Sequence, residues 1–395
     1  MGKFDAARAA GLAAAATGAA IPVSTSATGV LTALAVLLGL FSGIYARHWR
    51  AILAHPIVPP ALALFVWLAL SLTYTQVPLD EGLRLLKKYR ELLLIPLLLP
   101  LFVDPRVRRL GLYAFLAAML VTLAASYADA LWQILDSGGI ESDPEVFKKR
   151  IAQSTLLVFA GYWVAQRLLR DSARGGVWAS LLGLVTVNLF VMVGGRTGQV
   201  LFLALAVLLL FQRFRWKGLA IGVVGSVVLL ASVYLTSAVF RDRVDESLNG
   251  LEDYQAADFT TSTALRMSYY PNSLALIAER PLLGHGLGSF TEVYAGQVAG
   301  TAFPPTSNPH NEFLLLGVQA GLIGSGLFAA LLLLQLRQVR RLPIVERPLA
   351  QALVVVMGVG CLLNSFLYDT TEGHLYAYFS ALLFAPLFTP EPGLE

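Results

Sequence analysis

The strongest constraint on this chain is its succession of apolar segments, each long enough to cross a lipid bilayer. A membrane-spanning helix needs about 20 predominantly apolar residues, because the hydrocarbon core offers no water to unpaired backbone groups. Hydrophobic residues make up 56% of the 395 residues and charged residues only 14%, whereas a soluble domain carries about 25% charge. Most segments lack a polar face, which excludes a large soluble core. The sequence therefore predicts an all-α polytopic membrane protein.

Twelve apolar segments are predicted to form transmembrane helices. Their approximate spans are 5–22, 27–46, 57–74, 83–103, 110–135, 151–168, 176–193, 198–213, 217–236, 310–336, 348–367 and 374–389. The fourth is irregular, because Pro96 and Pro100 interrupt it and its first half is charged. The first is rich in Ala and Gly rather than Leu and also resembles a signal peptide. We interpret it as a retained, weakly apolar helix.

The distribution of arginine and lysine predicts the orientation of these helices. Cations occupy alternate loops, which the positive-inside rule assigns to the cytoplasm. Both termini are then cytoplasmic. The predicted organisation is nine transmembrane helices within 1–236, one long, partly helical periplasmic loop at 237–309, and three transmembrane helices within 310–395.

His310 is the first candidate for chemistry, because a titratable imidazole at a membrane surface is a costly choice. Asn308 suits an N-cap and Pro309 suits the first helical position, so His310 is predicted in the first turn of the tenth helix. The positive end of a helix favours the neutral imidazole base. The alternative is a helix-entry histidine bonded to a backbone carbonyl. The polar neighbours Asn311 and Glu312 favour a functional role.

Two arginines on the outer side are candidates for anion binding. Arg196 lies in a short glycine-rich turn, where its charge runs against the positive-inside bias and requires a partner. Arg266 lies in the outer loop and shares one helix face with Tyr269 and Tyr270. The alternatives are a topology anchor for Arg196 and a solvated helix face for Arg266.

Further outer cations lie near the predicted membrane surface. Arg84, Lys87, Lys88 and Arg90 form a basic surface that either snorkels at the interface or attracts phosphate-bearing lipid. The cluster at 148–150 either holds anionic lipid or ends a loop.

Several kinds of function lack any sequence support. The net charge of +4 is spread over short loops, so no basic domain exists to bind nucleic acid. The single cysteine, Cys361, excludes an internal disulfide and a cysteine-based metal site. No Asp-x-Asp triplet, metal-spaced cluster, phosphate-binding loop or dinucleotide fingerprint occurs. We therefore predict no metal, no cofactor and no nucleic-acid partner.

Four motifs occur in an order that resembles the O-antigen ligase superfamily. They are Gly-Arg-Thr-Gly at 195–198, Arg266 in the outer loop, Pro281-x-x-Gly-x-Gly-x-Gly-Ser-Phe, and Pro309-His310-Asn311-Glu312-Phe313 followed by Gly317 and Gly321-Leu-Ile-Gly. The motifs cover roughly residues 190–330. That superfamily also contains O-antigen polymerases of the Wzy type and protein O-oligosaccharyltransferases.

The resemblance implies a metal-independent, inverting glycosyltransferase related to the GT-C fold class, with its active site on the periplasmic side of a Gram-negative inner membrane. The implied donor is undecaprenyl-pyrophosphate-linked O-antigen, and in the ligase branch the acceptor is a sugar hydroxyl of lipid A–core oligosaccharide. By motif match, His310 is the catalytic base, and Arg196 and Arg266 contact the pyrophosphate. Further candidate substrate contacts are Arg84, Lys88, Arg90, Tyr269, Tyr270, Asn308, Asn311, Glu312 and His374.

Among these activities we favour the ligase, because the outer loop is modest and no additional periplasmic domain is present. A polymerase accepts another O-unit, and a protein oligosaccharyltransferase accepts Ser or Thr of a protein. A membrane-lipid transporter without chemistry is the alternative of a different class. Its signature is charge at mid-membrane, for which Asp129 is the main candidate.

Overall fold

A computed structural model describes residues 5–137, 144–256, 259 and 261–389. The chain is 81% helical and no strand occurs in those ranges, which confirms the predicted all-α class. In chain order the α-helices are α1 (Ala6–Val23), α2 (Thr25–Phe41), α3 (Ile44–Ala54), α4 (Val58–Ser71), α5 (Leu79–Leu86), α6 (Glu91–Leu98), α7 (Pro105–Ser137), α8 (Arg150–Leu168), α9 (Gly175–Val187), α10 (Arg196–Phe214), α11 (Trp216–Thr236), α12 (Ala238–Gln255), α13 (Ser262–Glu279), α14 (Phe290–Val298), α15 (Glu312–Gln338), α16 (Arg347–Leu363) and α17 (Thr370–Phe384).

Within the described residues, 6 helical stretches are long and apolar enough to cross a membrane, and 7 if the bent pair α2–α3 counts as one. They are α1, most of α7, α9 with its flanking turns, α10, α11 and the stretch Glu312–Arg341. The helices α4 and α16 and the stretch Glu91–Phe102 are apolar but shorter. The fold is that of a polytopic helical membrane protein, and full-length spans are fewer than the twelve predicted.

Two of the predicted segments are divided by local geometry. Segment 27–46 breaks at Gly43, which adopts φ 70, and α2 and α3 are bent by 106° relative to each other. Segment 83–103 becomes α5, a 3-10 turn, α6 and a second 3-10 turn. Pro96 lies inside α6 and Pro100 inside the second turn. A proline removes a backbone donor and clashes with the preceding turn, so a straight helix here is unfavourable.

Helix α15 reverses direction at Gly321. The hydroxyl of Ser325 donates to the carbonyl of Phe313 at 2.7 Å, although twelve residues of straight helix would separate them by about 18 Å. Gly321 adopts φ 68 and ψ −175, a combination essentially restricted to glycine. The stretch Glu312–Arg341 is long enough to span by residue count, but it is not one straight helix. It consists of a short arm (312–320) and a long arm (322–338) packed against each other.

The backbone groups freed at this reversal are met by the glycine-rich turn at 281–288 and by α4. The bonds run from His285 N to Val318 O (2.8 Å), from Gly286 N to Gln319 O (2.9 Å), from Leu322 N to Pro281 O (2.8 Å) and from Trp67 Nε1 to Ala320 O (2.9 Å). The ring of His285 is buried and pairs with the carbonyl of Leu276 at 3.1 Å, as expected for a structural histidine. The turn and the short arm thus form one supported unit.

Helix α17 lies at the centre of the bundle, where residues 372–384 are buried. Phe379 packs edge-on against Phe115 and Phe159, with ring centroids 4.9 and 4.8 Å apart. Helix α11, by contrast, exposes much of its apolar surface, including Val224 and Val227. Exposed aliphatic surface of this extent fits a lipid-facing helix.

The predicted long loop is partly helical, since it contains α12, α13 and α14. Helix α13 begins behind the N-cap Thr261, whose side chain accepts a hydrogen bond from the backbone amide of Ala264. Its buried residues Tyr269 and Leu276 pack with Leu315 of the short arm in one apolar cluster. The loop is thereby fixed over the arm that follows His310.

Candidate active site

His310 lies immediately before α15, so its predicted place in the first turn of that helix is wrong. Asn311 is the N-cap, and its side chain accepts a hydrogen bond from the backbone amide of Leu314 at 3.1 Å. His310 adopts φ 53, a left-handed conformation that a helical residue cannot have. The predicted roles of Asn308 as cap and Pro309 as first helical residue are wrong for the same reason.

Asn308 instead holds the turn that presents the imidazole. Its side-chain oxygen accepts hydrogen bonds from the backbone amide of His310 and from the hydroxyl of Ser365, each at 2.8 Å. An Asx-type bond of this kind stabilises a left-handed residue locally. Asn308 therefore acts on the conformation of His310 and ties it to the loop between α16 and α17.

The ring of His310 stacks on Tyr269, with centroids 6.4 Å apart and planes inclined by 28°. Tyr269 is itself fixed edge-on against Tyr294 at 5.9 Å. Burial lowers the pKa of His310, and the positive charge of Arg266 lowers it further. The neutral base form expected from the sequence is therefore favoured. Its cause is burial together with the neighbouring guanidinium, and not the positive end of a helix.

Arg266 is half-buried on α13 and reaches the loop between α16 and α17. Its Nη2 donates to Asn364 Oδ1 at 3.4 Å, and Asn364 Nδ2 donates to Thr197 Oγ1 at 2.8 Å. Asn364 thus joins Arg266 to the first turn of α10. Because Ser365 follows Asn364 and bonds Asn308, one short loop connects the surroundings of both arginines with those of His310.

Arg196 is the first residue of α10, and its guanidinium is held by residues of α12 and α13. It donates to the hydroxyls of Ser247, Ser262 and Thr263 and lies 3.6 Å from the carboxylate of Glu246. The sequence predicted that Arg196 has a partner. In the structure its partners include one carboxylate and three hydroxyls. These contacts orient the guanidinium beside the start of α13, four residues before Arg266.

A third arginine belongs to this neighbourhood and was not singled out by the sequence. Burial lowers the pKa of the Arg266 guanidinium, and the charges of Arg196 and Arg150 lower it further. Arg150 begins α8, whose residue Ser154 packs closely against Gly195 and Gly198. The sequence placed Arg150 only in the cluster at 148–150, which was predicted either to hold anionic lipid or to end a loop. Its neighbours come from a tertiary contact that no local pattern signals.

Glu312 is fully buried close to His310 in sequence and is hydrogen-bonded to the loop between α16 and α17. Its Oε2 accepts hydrogen bonds from the backbone amides of Leu367 and Tyr368, each at 3.0 Å, and its Oε1 accepts one from the hydroxyl of Tyr89 at 3.1 Å. Glu312 was a candidate for substrate contact. The structure instead gives its oxygens protein partners in a buried position.

Asn311 and Tyr270 converge on the end of α16. Asn311 Nδ2 donates to the carbonyl of Leu362 at 3.1 Å, and the Tyr270 hydroxyl donates to the same oxygen at 3.0 Å. Both residues hold α13 and the His310 turn against α16. Sequence reasoning named them as candidate substrate contacts, and their polar atoms have protein partners here.

The remaining candidates lie apart from the arginines. His374 is buried on α17, where Nδ1 lies 2.6 Å from the carbonyl of Thr370 and 3.3 Å from Glu91 Oε1. Lys88 places its ammonium over the ring of Tyr368, 4.8 Å from the centroid. Arg84 and Arg90 are exposed. Among the described residues no group of three or more His, Cys, Asp or Glu side chains is arranged to hold a metal ion.

The arrangement offers a neutral imidazole near the guanidinium of Arg266, which in turn lies near that of Arg196. The imidazole can accept a proton from a hydroxyl group, and guanidiniums bind phosphate oxygens in a bidentate fashion. The combination suits a reaction in which a hydroxyl attacks a group that leaves with negative charge on phosphate.

Comparison with known proteins supports this interpretation. A family model described as O-antigen ligase matches residues 179–329, which contain His310 and both arginines. Proteins of this family are glycosyltransferase-like enzymes that act on lipid-linked sugars. A Haemophilus influenzae (strain ATCC 51907 / DSM 11121 / KW20 / Rd) protein, described as uncharacterized, is 25% identical over 315 residues, covering 74% of this chain and 77% of the relative. Residues 179–329 of this chain are thus similar to the O-antigen ligase family, in the region where the motifs implied that resemblance.

Proposed function

We propose that this protein is an O-antigen ligase of a Gram-negative inner membrane. It transfers O-antigen polysaccharide from undecaprenyl pyrophosphate to a sugar hydroxyl of lipid A–core oligosaccharide. In this proposal the segment 237–309 faces the periplasm between the helices of 1–236 and those of 310–395, and the reaction takes place at that surface. The fold is proposed to be related to the GT-C class.

The proposed reaction is a single displacement at the anomeric carbon of the donor sugar. The acceptor hydroxyl gives its proton to the imidazole of His310 while its oxygen forms the new glycosidic bond. The bond between the anomeric carbon and the pyrophosphate oxygen breaks, and undecaprenyl pyrophosphate leaves with the electron pair. Attack opposite the leaving group inverts the anomeric configuration. General-base assistance of this kind contributes about 10²- to 10⁴-fold to the rate.

Arg196 and Arg266 are proposed to stabilise the departing pyrophosphate. Two guanidiniums with fixed orientation supply planar hydrogen-bond donors where negative charge develops, and they need no reorganisation during the reaction. The hydroxyls around Arg196 and the amide of Asn364 at Arg266 provide this orientation. The energy of transfer is stored in the sugar–pyrophosphate bond, so the scheme uses no nucleotide.

One observation carries the proposal. The loop that begins at Asn364 bonds Arg266, the first turn of α10 and, through Ser365, the Asn308 side chain that sets the turn of His310. The proposal is supported because one short loop joins the surroundings of three side chains that are far apart in sequence. A membrane-lipid transporter would not need a neutral imidazole at that place. Asp129, the candidate transport charge, accepts a hydrogen bond from Gln133 on the same helix.

The test is an acceptor comparison with purified, reconstituted protein. Defined undecaprenyl-pyrophosphate-linked O-antigen is supplied with lipid A–core oligosaccharide, with a second lipid-linked O-unit, or with a pilin-type protein. The ligase proposal predicts product with lipid A–core alone. Product with the O-unit alone identifies a polymerase, and product with the protein alone identifies a protein O-oligosaccharyltransferase. Donor translocation without any product would overturn the assignment as a transferase.

A further inference from the structure

Four cations within the short stretch 84–90, here called the cationic segment, lie on the surface of the bundle. Arg84 leaves 74% of its side chain exposed, and Arg90 leaves 50% exposed. Lys87 is exposed as well. Arg84 lies 3.5 Å from Glu81, and an exposed ion pair of this kind contributes little and leaves the cation available. Arg90 lies 3.6 Å from Glu91, which is buried, while half of the Arg90 side chain remains exposed.

Apolar side chains beside the cationic segment are exposed as well. Leu79 and Leu83 of α5 are 61% and 43% exposed, and Leu282 of the glycine-rich turn is 65% exposed. The two elements are in contact, because a Cβ at Gly82 would lie 3.4 Å from the carbonyl of Leu287. Exposed leucines next to exposed cations are typical of a helix at the lipid headgroup boundary. The cationic segment and its leucines therefore have the composition of a membrane-boundary surface.

The cationic segment is connected to the His310 turn. Lys88 lies over the ring of Tyr368, and the backbone amide of Tyr368 is held by Glu312, two residues after His310. Burial raises the pKa of Asp369 to about 6, while Lys88 opposes the rise. Lys88 is thus close to Asp369 as well, at the far end of the same loop.

This loop, residues 364–369, has the two arginines at one end and the cationic segment at the other. Asn364 bonds Arg266, whereas Tyr368 meets Lys88 and Glu312. Ser365, between them, reaches the His310 turn through Asn308. One cationic group, which contains Arg266, thus meets one end of the loop that contacts the His310 turn, and a second, which contains Lys88, meets the other end.

We propose that the cationic segment binds phosphate groups carried by the acceptor lipid. The inference rests on the proposed function, in which the arginine group holds the donor pyrophosphate. An inverting displacement brings the nucleophile in from the side opposite the leaving group, so the acceptor approaches His310 from the other side. The exposed leucines receive its acyl chains at the membrane boundary, and Arg84, Lys87 and Arg90 meet its phosphates.

The experiment compares two forms of one acceptor, phosphorylated lipid A–core and the same lipid after enzymatic removal of its phosphates. The test variant is R84Q/K87Q. The single variant R84Q is compared with the control R280Q, which removes another exposed arginine at the end of α13. For R84Q/K87Q we expect the KM of the phosphorylated acceptor to rise about tenfold. The KM of the donor stays unchanged, and R280Q behaves as the wild type. With the dephosphorylated acceptor, wild type and variant have the same KM.

A binding measurement separates this inference from the proposed reaction. Each lipid is titrated into nanodiscs of neutral lipid that contain H310A or H310A/R84Q/K87Q, so that no turnover is needed. We expect weaker binding of the phosphorylated lipid alone in the combined variant. Equal weakening for both lipids, a raised KM for the donor, or an effect that follows the content of bulk anionic phospholipid would each overturn the inference. Absence of transfer by the wild type together with the expected binding difference would instead refute the proposed function.

Discussion

Replacement of Glu312 tests whether this carboxylate, next to the proposed base, only supports the structure or takes part in the reaction. Glu312 Oε2 accepts hydrogen bonds from two backbone amides, and Oε1 accepts one from the hydroxyl of Tyr89. Glu312→Gln keeps the volume and one oxygen for the two amides, and the Tyr89 hydroxyl can turn to accept from the new amide. We therefore expect E312Q to fold and to retain most of the transfer activity.

Glu312→Ala removes both acceptor oxygens and the three hydrogen bonds they accept, and it leaves two backbone amides without a partner in a buried site. Each unsatisfied group costs about 1–3 kcal/mol, so the loss of unfolding free energy is roughly 2–6 kcal/mol before any cavity term. The freed loop at 364–369 also carries Asn364 and Ser365, which hold Arg266 and the His310 turn. E312A is expected to lose both stability and turnover.

The assay combines thermal unfolding in detergent with transfer rates in proteoliposomes, for E312Q, E312A and H310A. The structural role predicts that E312A unfolds at a lower temperature than E312Q and that E312Q remains close to the wild type in rate. A variant E312Q that unfolds like the wild type but is as inactive as H310A would refute the reasoning, because the carboxylate would then take part in the chemistry.

Three further predictions concern the arginines, the histidine and the helix reversal. R196K and R266K each reduce kcat/KM roughly 10²-fold, because lysine keeps the charge but lacks the planar fork; full activity in both would remove the bidentate argument. The acid limb of the rate profile has its midpoint below the ordinary histidine value of 6.5, since burial and Arg266 lower the pKa of His310. R266Q removes a positive neighbour and should move the midpoint to higher pH; no movement would contradict the proximity. G321A lowers the unfolding temperature, because Gly321 has φ 68 and an added Cβ meets the Leu282 carbonyl, whereas G326A, at an open helical position, leaves it unchanged or raises it. Equal stability of the two variants would contradict the reversal.

Apolar length and turn residues were sufficient to predict most helices. Segment 151–168 corresponds to α8 and segment 217–236 to α11, within one residue at each end. Segment 217–236 is predominantly apolar, and segment 151–168 has an apolar centre (156–165) between polar residues, so burial and backbone satisfaction favour one outcome. Prediction was weaker where a glycine sets the direction of the chain. Nothing in a local apolar pattern distinguishes a straight helix from the reversal at Gly321.

The candidate site was predictable as a set of residues and much less so as a geometry. His310, Arg196 and Arg266 were singled out because each is costly at its predicted location, and their roles remain a prediction. The cap at Asn311 was missed because Asn308 offers the same chemistry three residues earlier, and only the left-handed φ of His310 decides between them. Arg150 was missed because its neighbours are brought together by tertiary packing.

The measurement that tests the central claim most directly is transfer by reconstituted H310A with defined donor and lipid A–core acceptor, in the presence of a chelator. The same preparation is titrated with the donor to show that the variant is inserted and binds it. For H310A we expect a donor affinity close to that of the wild type and product formation reduced by about 10²-fold or more. Ligation at the wild-type rate, or a requirement of the wild type for a divalent metal, would contradict it.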